Sequence, residues 1–299
     1  MLRNSLLYLS RQKNLRRWME TSAAAKRLTG RFVAGQTLDD VMRVCRKLQG
    51  ERILATLDHL GENVTSAEEA AASRRSMEDA LAEIEKSGLA ATISIKLTQF
   101  GLDLSDELCL HNVEGLAETA RRIGSRVEID MESSEYTDRT LAIVETLHSR
   151  FGCIRAVLQA YLYRTAEDVA RLSRSGIMVR LCKGAYNEPS SVAFPEKTQV
   201  DANYLKLVHL LLEGGTYPAF ATHDPKMIEG VLSAQRPKDG YEFQMLYGIR
   251  RDLQKRLVAG GYQLRLYVPY GDAWYPYFMR RLAERPANVL FLAKSLMRA

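Results

Sequence analysis

The chain has 299 residues, 46% hydrophobic and 26% charged, with a formal net charge of +6. That composition is ordinary for a folded protein and excludes a disordered chain, and no apolar run approaches the ~18 residues of a membrane span. The small positive excess suits an anionic ligand or an anionic membrane surface without telling them apart. No nucleic-acid partner is expected, and the four cysteines, Cys45, Cys109, Cys153 and Cys182, make no metal-binding spacing and read as reduced structural thiols.

Residues 1–50 read as an N-terminal helical segment, with breaks near Thr29 and Gly35 and a helix start at Thr37, ahead of Asp39 and Asp40. Its first stretch is basic, and the first acidic residue is Glu20. Such a start is compatible with an organelle transit peptide, with a membrane-surface helix presenting Leu6, Leu7 and Trp18, or with a solvated amphipathic helix covering the fold.

From residue 51 a rhythm begins and continues to the end of the chain. Strands are predicted at 52–57, 90–97, 127–131, 154–162, from 178, 219–222, 241–246 and 264–268. Helices are predicted between them at 66–86, 104–123, 137–149, 165–174, 202–212, 226–234 and 250–258, and a last one at 274–284. The helix at 165 is expected to open with a capping box of Thr165 and Asp168. Strict alternation implies a parallel sheet, and eight units suggest closure into an α/β (βα)8 TIM-type barrel. No GxGxxG or GxxxxGK[ST] follows the first strand, which argues against a nucleotide-binding open sheet.

The fifth strand is the most informative. It opens as a run fit for burial on both faces, yet Arg180 lies inside it, and a guanidinium there is costly unless something anionic or strongly accepting meets it. Lys183, Gly184 and Ala185 follow, where backbone can approach a ligand closely. Other strands carry a polar face: Ser94, Lys96 and Thr98 oppose Ile93, Ile95 and Leu97, while Glu128, Asp130 and Glu132 oppose Val127, Ile129 and Met131. Gln159 interrupts the fourth strand, and Thr222 and His223 close the sixth. If the apolar faces meet the outer helices, Lys96, Asp130, Gln159, Arg180 and Tyr267 converge near the C-terminal mouth of the barrel. Each alone also suits a structural ion pair or a satisfied core histidine. Five from different strands at similar depth favour a site, because burying charge to no purpose is costly. In the last helix Arg280 and Arg281 stand beside an aromatic run, with Glu284 one turn on, an arrangement suited to a small carboxylate with an apolar body.

These stretches resemble the proline dehydrogenase family in its short, single-function bacterial form. The resemblance rests on ISIKL at 93–97, IDME at 129–132, LQAY at 158–161, RLCKGAY at 180–186, ATHD at 221–224, EFQML at 242–246, LYVP at 266–269 and RRLAE at 280–284. It implies a distorted (βα)8 barrel at 51–299, with extra N-terminal helices and a last helix over the mouth. It implies FAD as cofactor, oxidation of L-proline to Δ1-pyrroline-5-carboxylate, and a membrane quinone as electron acceptor. By the same resemblance Arg180 lies near flavin N5, and Met131, Gln159, Lys183, Gly184, Ala185, Thr222 and His223 line the cofactor. Lys96, Arg280 and Arg281 hold the substrate carboxylate, and Asp130, Tyr186, Leu246, Tyr267 and Glu284 complete the pocket. The segment from Tyr267 to Arg280 is two residues shorter than in the long bifunctional enzymes, so the lid into the last helix is expected to differ. Their aldehyde-oxidising partner domain has no counterpart in this sequence. A cytoplasmic protein is expected, in peripheral contact with the inner face of the membrane.

Two other readings remain open on the residues alone. One is a Schiff-base barrel lyase or aldolase with Lys96 or Lys183 as nucleophile. The other is a non-catalytic amino-acid-binding or membrane-surface protein, supported by the basic N-terminus.

Overall fold

A computed structural model describes residues 29–61 and 63–283. The basic start, Glu284 and the predicted helices before residue 29 lie outside the described residues.

The described chain folds as a closed barrel in which β1 (Leu54–His59), β2 (Ala91–Lys96), β3 (Val127–Asp130), β4 (Ile154–Gln159), β5 (Met178–Cys182), β6 (Ala219–Ala221), β7 (Glu242–Leu246) and β8 (Leu264–Tyr270) pair in sequence order, all parallel. Helix α1 (Leu38–Gly50) precedes the barrel, and α2 (Ala67–Ser87), α3 (Asp106–Arg122), α4 (Thr137–Phe151), α5 (Thr165–Arg174), α6 (Lys197–Gly214), α7 (Pro225–Ser233) and α8 (Arg251–Ala259) surround it. Helix α9 (Trp274–Ala283) follows β8 directly at the C-terminal mouth. The predicted fold class is the observed one.

Outward-facing Ala55, Leu57, Ile93, Ile95, Val127, Ile129, Leu158 and Leu181 are buried against the inward stripes of the helices. Val41, Met42, Cys45 and Leu48 of α1 belong to the same core. Thr37 caps α1 as expected: its hydroxyl accepts from the Asp40 amide while Asp40 accepts from the Thr37 amide, both at 3.2 Å. Before α1 the chain passes so close to the loop after β7 that a Cβ on Gly248 would come within 1.6 Å of the Arg31 carbonyl oxygen. Among the described residues no helix is long and apolar enough to cross a membrane.

Several predicted boundaries shift for identifiable reasons. The first strand starts at Leu54 rather than at Arg52, because Arg52 takes φ 59° to end α1. It then runs on through Asp58 and His59, which pair in register with Pro269 and Tyr270. The fourth strand ends at Gln159, and the chain turns along the loop after β5, with a bridge between Leu162 and Ala193 and a hydrogen bond from the Phe194 amide to the Tyr161 carbonyl at 2.8 Å. The capping box at α5 does not form. Arg164 is the cap residue, the Thr165 hydroxyl donates instead to the Gln159 carbonyl at 2.6 Å, and Asp168 receives the Arg164 guanidinium at 2.8 Å.

Candidate active site

The parallel register sets which side chains share the barrel interior. Thr56 lies level with Thr92 and Tyr267, Asp58 with Ser94, Lys96 with Asp130, Arg180 with Val157 and Ala219, and Gln244 with Ala221 and Arg265. Barrel interiors of this class are commonly filled by branched apolar residues. Here the lower interior is ionic. Arg155, Glu128 and Glu242 are each 0% exposed, and Arg265 is 2% exposed. Glu242 accepts from Arg155, from Arg265 Nε at 2.9 Å, and from the Gln244 amide at 2.8 Å. Glu128 accepts from Thr56, Thr92 and Gln244 at 3.2, 3.1 and 3.0 Å. Burial alone would push both carboxyls up. For Glu128 the nearby Arg155, Arg180 and Arg265 outweigh it, and for Glu242 Arg265 and Arg155 do, so both stay below the usual carboxylate range.

One turn of side chains higher lies Arg180. Its guanidinium is 3.3 Å from Glu128, donates to the Gln244 carbonyl at 3.2 Å and to Ser94 at 3.1 Å, and pairs with Asp130. It also lies 5.4 Å from the centre of the Tyr267 ring, within cation–π range. The Arg buried in an apolar strand therefore has anionic and accepting partners from β2, β3 and β7. Asp130 is the hub above it, accepting also from the Ser94 hydroxyl at 2.9 Å and the Tyr267 hydroxyl at 2.8 Å. Lys96 completes the group: its ammonium is 3.5 Å from the Tyr267 hydroxyl, 3.6 Å from Asp130 and 3.7 Å from Asp58. Burial and the Asp58 carboxylate keep the Tyr267 phenol protonated far above its ordinary value.

Of the five residues expected to converge, Lys96, Asp130, Arg180 and Tyr267 make one contiguous cluster. Gln159 works at the rim instead, donating to the Glu132 carbonyl at 2.9 Å and accepting from the Ala185 amide at 3.0 Å. Its grip on Ala185 shapes the loop after β5. There Gly184, at φ 132°, packs on Tyr161 so closely that a Cβ would come within 2.5 Å of the ring, so only glycine fits. Lys183 points to the outer layer, where its ammonium pairs with Asp201 of α6 and, at 2.7 Å, with Asp224, which caps α7. A Schiff-base role inside the barrel does not suit that orientation. His223 Nε2 accepts from the Leu246 amide at 2.9 Å, which puts the proton of the neutral ring on Nδ1. The Thr222 hydroxyl accepts from the Asp224 amide at 3.1 Å, and Met131 is buried beneath the Thr137 hydroxyl. Leu246 is half-buried and Tyr186 is exposed on the loop after β5. Arg280 and Arg281 are in α9 by their backbone; their side chains lie outside the described residues. Tyr277 of α9 is buried, close enough to Tyr267 to disfavour its ionisation further.

Asp58, Gln244, Arg155, Glu242 and Arg265 were not singled out in the sequence, although all share the inner face. The signal was present: β7 and β8 alternate Glu242 and Gln244, and Arg265 and Tyr267, in the period that exposed the polar faces of β2 and β3.

A closed parallel barrel with a dense charged cluster at its C-terminal mouth is the architecture in which (βα)8 enzymes place their active sites. Comparison with known proteins narrows it. The family model described as proline dehydrogenase matches residues 41–294. The chain is 41% identical to Proline dehydrogenase 1 of Bacillus subtilis over 100% of both chains. It is 39% identical to Proline dehydrogenase of Deinococcus radiodurans, over 91% of this chain and 90% of that one. Among solved structures, proline utilization A from Bdellovibrio bacteriovorus, inactivated by N-propargylglycine, superposes with a TM-score of 0.81 at 25% identity. That match covers 87% of this chain and 33% of the longer protein, so the present chain corresponds to about a third of it. This chain belongs to the proline dehydrogenase family, oxidoreductases that act on proline at the first step of its catabolism.

Proposed function

We propose that this protein oxidises L-proline to Δ1-pyrroline-5-carboxylate with FAD as cofactor and passes the electrons to a membrane quinone, met by peripheral contact at the cytoplasmic face. The observation that carries the reading is the cluster of Lys96, Asp130, Arg180 and Tyr267 at the barrel mouth of a chain in this family. The residues fit a flavin. The backbone of Gly184 and Ala185 lies exposed just past the end of the strand that carries Arg180, whose guanidinium is held in place by several acceptors. Met131, Gln159, Gly184, Ala185, Thr222 and His223 would hold it, with Lys183 contributing its backbone because its ammonium is taken by Asp201 and Asp224, and when bound it supplies the two-electron acceptor. Arg180 supplies fixed positive charge where negative charge gathers on reduction. Lys96, with Arg280 and Arg281, takes the substrate carboxylate, and Glu284 keeps one arginine aligned. Tyr267 and Leu246 flank the ring, Tyr186 covers it from the loop after β5, and Asp130 fixes Arg180 and Tyr267 relative to Lys96.

The purified protein should be yellow, and anaerobic L-proline should bleach it. A colourless protein that binds no added FAD, or a yellow one indifferent to proline, refutes the reading. N-propargylglycine, the amine that inactivated the Bdellovibrio relative, should also inactivate this protein irreversibly.

A further inference from the structure

Asp58 has a feature that Asp130 lacks. It lies one residue before the end of β1, faces inward level with Ser94, and is 1% exposed. Its Oδ1 faces the Lys96 ammonium at 3.7 Å, while its Oδ2 is buried and accepts no hydrogen bond. Asp130 is saturated: Oδ1 receives Arg180 and Ser94, and Oδ2 receives Tyr267 with Lys96 3.6 Å away. Glu132 is engaged by the amide and hydroxyl of Thr98, at 3.0 and 2.6 Å. Among the described residues, Asp58 Oδ2 is the buried carboxylate oxygen left without a hydrogen-bond donor. Leaving such an oxygen dry and unpaired is unfavourable, so it fits a site completed by a ligand that brings a donor.

Proline is such a ligand. It arrives as a zwitterion, with a carboxylate for the cations of the site and a secondary ammonium that those cations repel. We propose that Asp58 is a further catalytic residue, receiving the substrate ammonium on Oδ2 and accepting its proton. The inference rests on the reading of this site as one for proline and a flavin. The N–H proton passes to Oδ2 and the nitrogen keeps the electron pair. That pair forms the C=N bond as the hydrogen on the adjacent ring carbon leaves with its two electrons for the flavin. Asp130 holds the machinery, and Asp58 serves the nitrogen.

The test compares Asp58→Asn with the natural protein, using L-proline and its ring-oxygen analogue tetrahydrofuran-2-carboxylate, which has the carboxylate but no N–H. Dissociation constants are measured by calorimetry on dithionite-reduced protein, where proline binds without turnover, and kcat/KM is measured on the oxidised protein. Loss of a charge-assisted hydrogen bond should weaken proline by about 10- to 150-fold. The oxygen analogue should bind as well as before or more tightly, because one negative charge has left while Asp130 and Tyr267 still hold Lys96. Parallel weakening of both ligands would mean that Asp58 acts only by holding Lys96, and unchanged proline binding would remove it from the site; either overturns the proposal. Asp58→Ser, measured in the same way, gives the same discrimination if the asparagine variant folds poorly. If the natural protein itself binds neither ligand, it is the reading of the site that fails.

Discussion

The ionic interior makes a sharp prediction about stability. Glu242→Gln keeps the shape of the side chain and removes its charge. Arg155 and Arg265 then lose their nearest carboxylate and depend on Glu128, at 3.5 and 3.8 Å. With its oxygen kept where Oε1 receives Arg155, Arg265 and Gln244, the new amide still turns its NH2 toward Arg265 Nη2, which donates to Oε2 at 3.3 Å in the natural protein. Removing one partner of a buried ion pair costs about 3–5 kcal/mol, and a domain of this size loses about 2–4 °C per kcal/mol, so Tm should fall by roughly 6–20 °C. The pH dependence should change as well. The folded Glu242 carboxyl is depressed below its unfolded value. Its stabilisation is therefore complete above about pH 4.3 and is lost as pH falls below that. The natural protein should destabilise steeply in this acid range and the variant more shallowly. Thermal melts followed by near-UV circular dichroism from neutral to acid pH measure both effects. A Tm within about 2 °C of the natural protein, under 1 kcal/mol, together with an unchanged acid slope, would refute the account of the layer as a balanced ion network.

Three functional predictions stand beside it. Arg180→Met should still bind flavin, but stopped-flow spectra should show slower reduction by proline; unchanged reduction kinetics would remove Arg180 from the flavin. Arg280→Met or Arg281→Met should raise KM for proline and weaken carboxylate inhibitors in parallel by roughly 10- to 150-fold, while a prolinol-like analogue stays nearly indifferent; normal KM and inhibitor affinity in both variants would leave the pair as a solvated basic face. With Tyr267 and Leu246 against the ring, an added hydroxyl finds no partner, so 4-hydroxyproline should have kcat/KM about 100-fold lower, and equal values would show that the pocket is misassigned.

The sequence made the barrel legible because each strand alternates with a helix and the strands of a closed sheet share one inner face. In β2 and β3 the polar positions stood out against Ile93, Ile95, Val127 and Ile129, and they led to Lys96 and Asp130. Asp58 escaped because Asp-His-Leu-Gly looks like a turn after a strand. At a barrel mouth, however, a polar residue can continue the strand and face inward, as the pairing of Asp58 with Ser94 and Pro269 requires. Arg155 lies next to Ile154 and Ala156 in a strand that otherwise looks apolar, and its partner Glu242 is 87 positions away. Sequence spacing carries no trace of such a pair, and only closure of the barrel brings the two together. Thr165 failed as a cap because its hydroxyl had a nearer acceptor in the turn after β4, an alternative that local patterns do not reveal.

The central claim is that one mouth of the barrel holds both flavin and proline, around Arg180. A crystal structure of the protein with the ring-oxygen analogue of proline tests it most directly. The account predicts flavin density along the ends of β4, β5 and β6 beside Arg180, with the analogue's carboxylate between Lys96 and the arginines of α9. Flavin or analogue density at the opposite end of the barrel, or an analogue carboxylate away from Lys96 with both arginines turned to solvent, would contradict it.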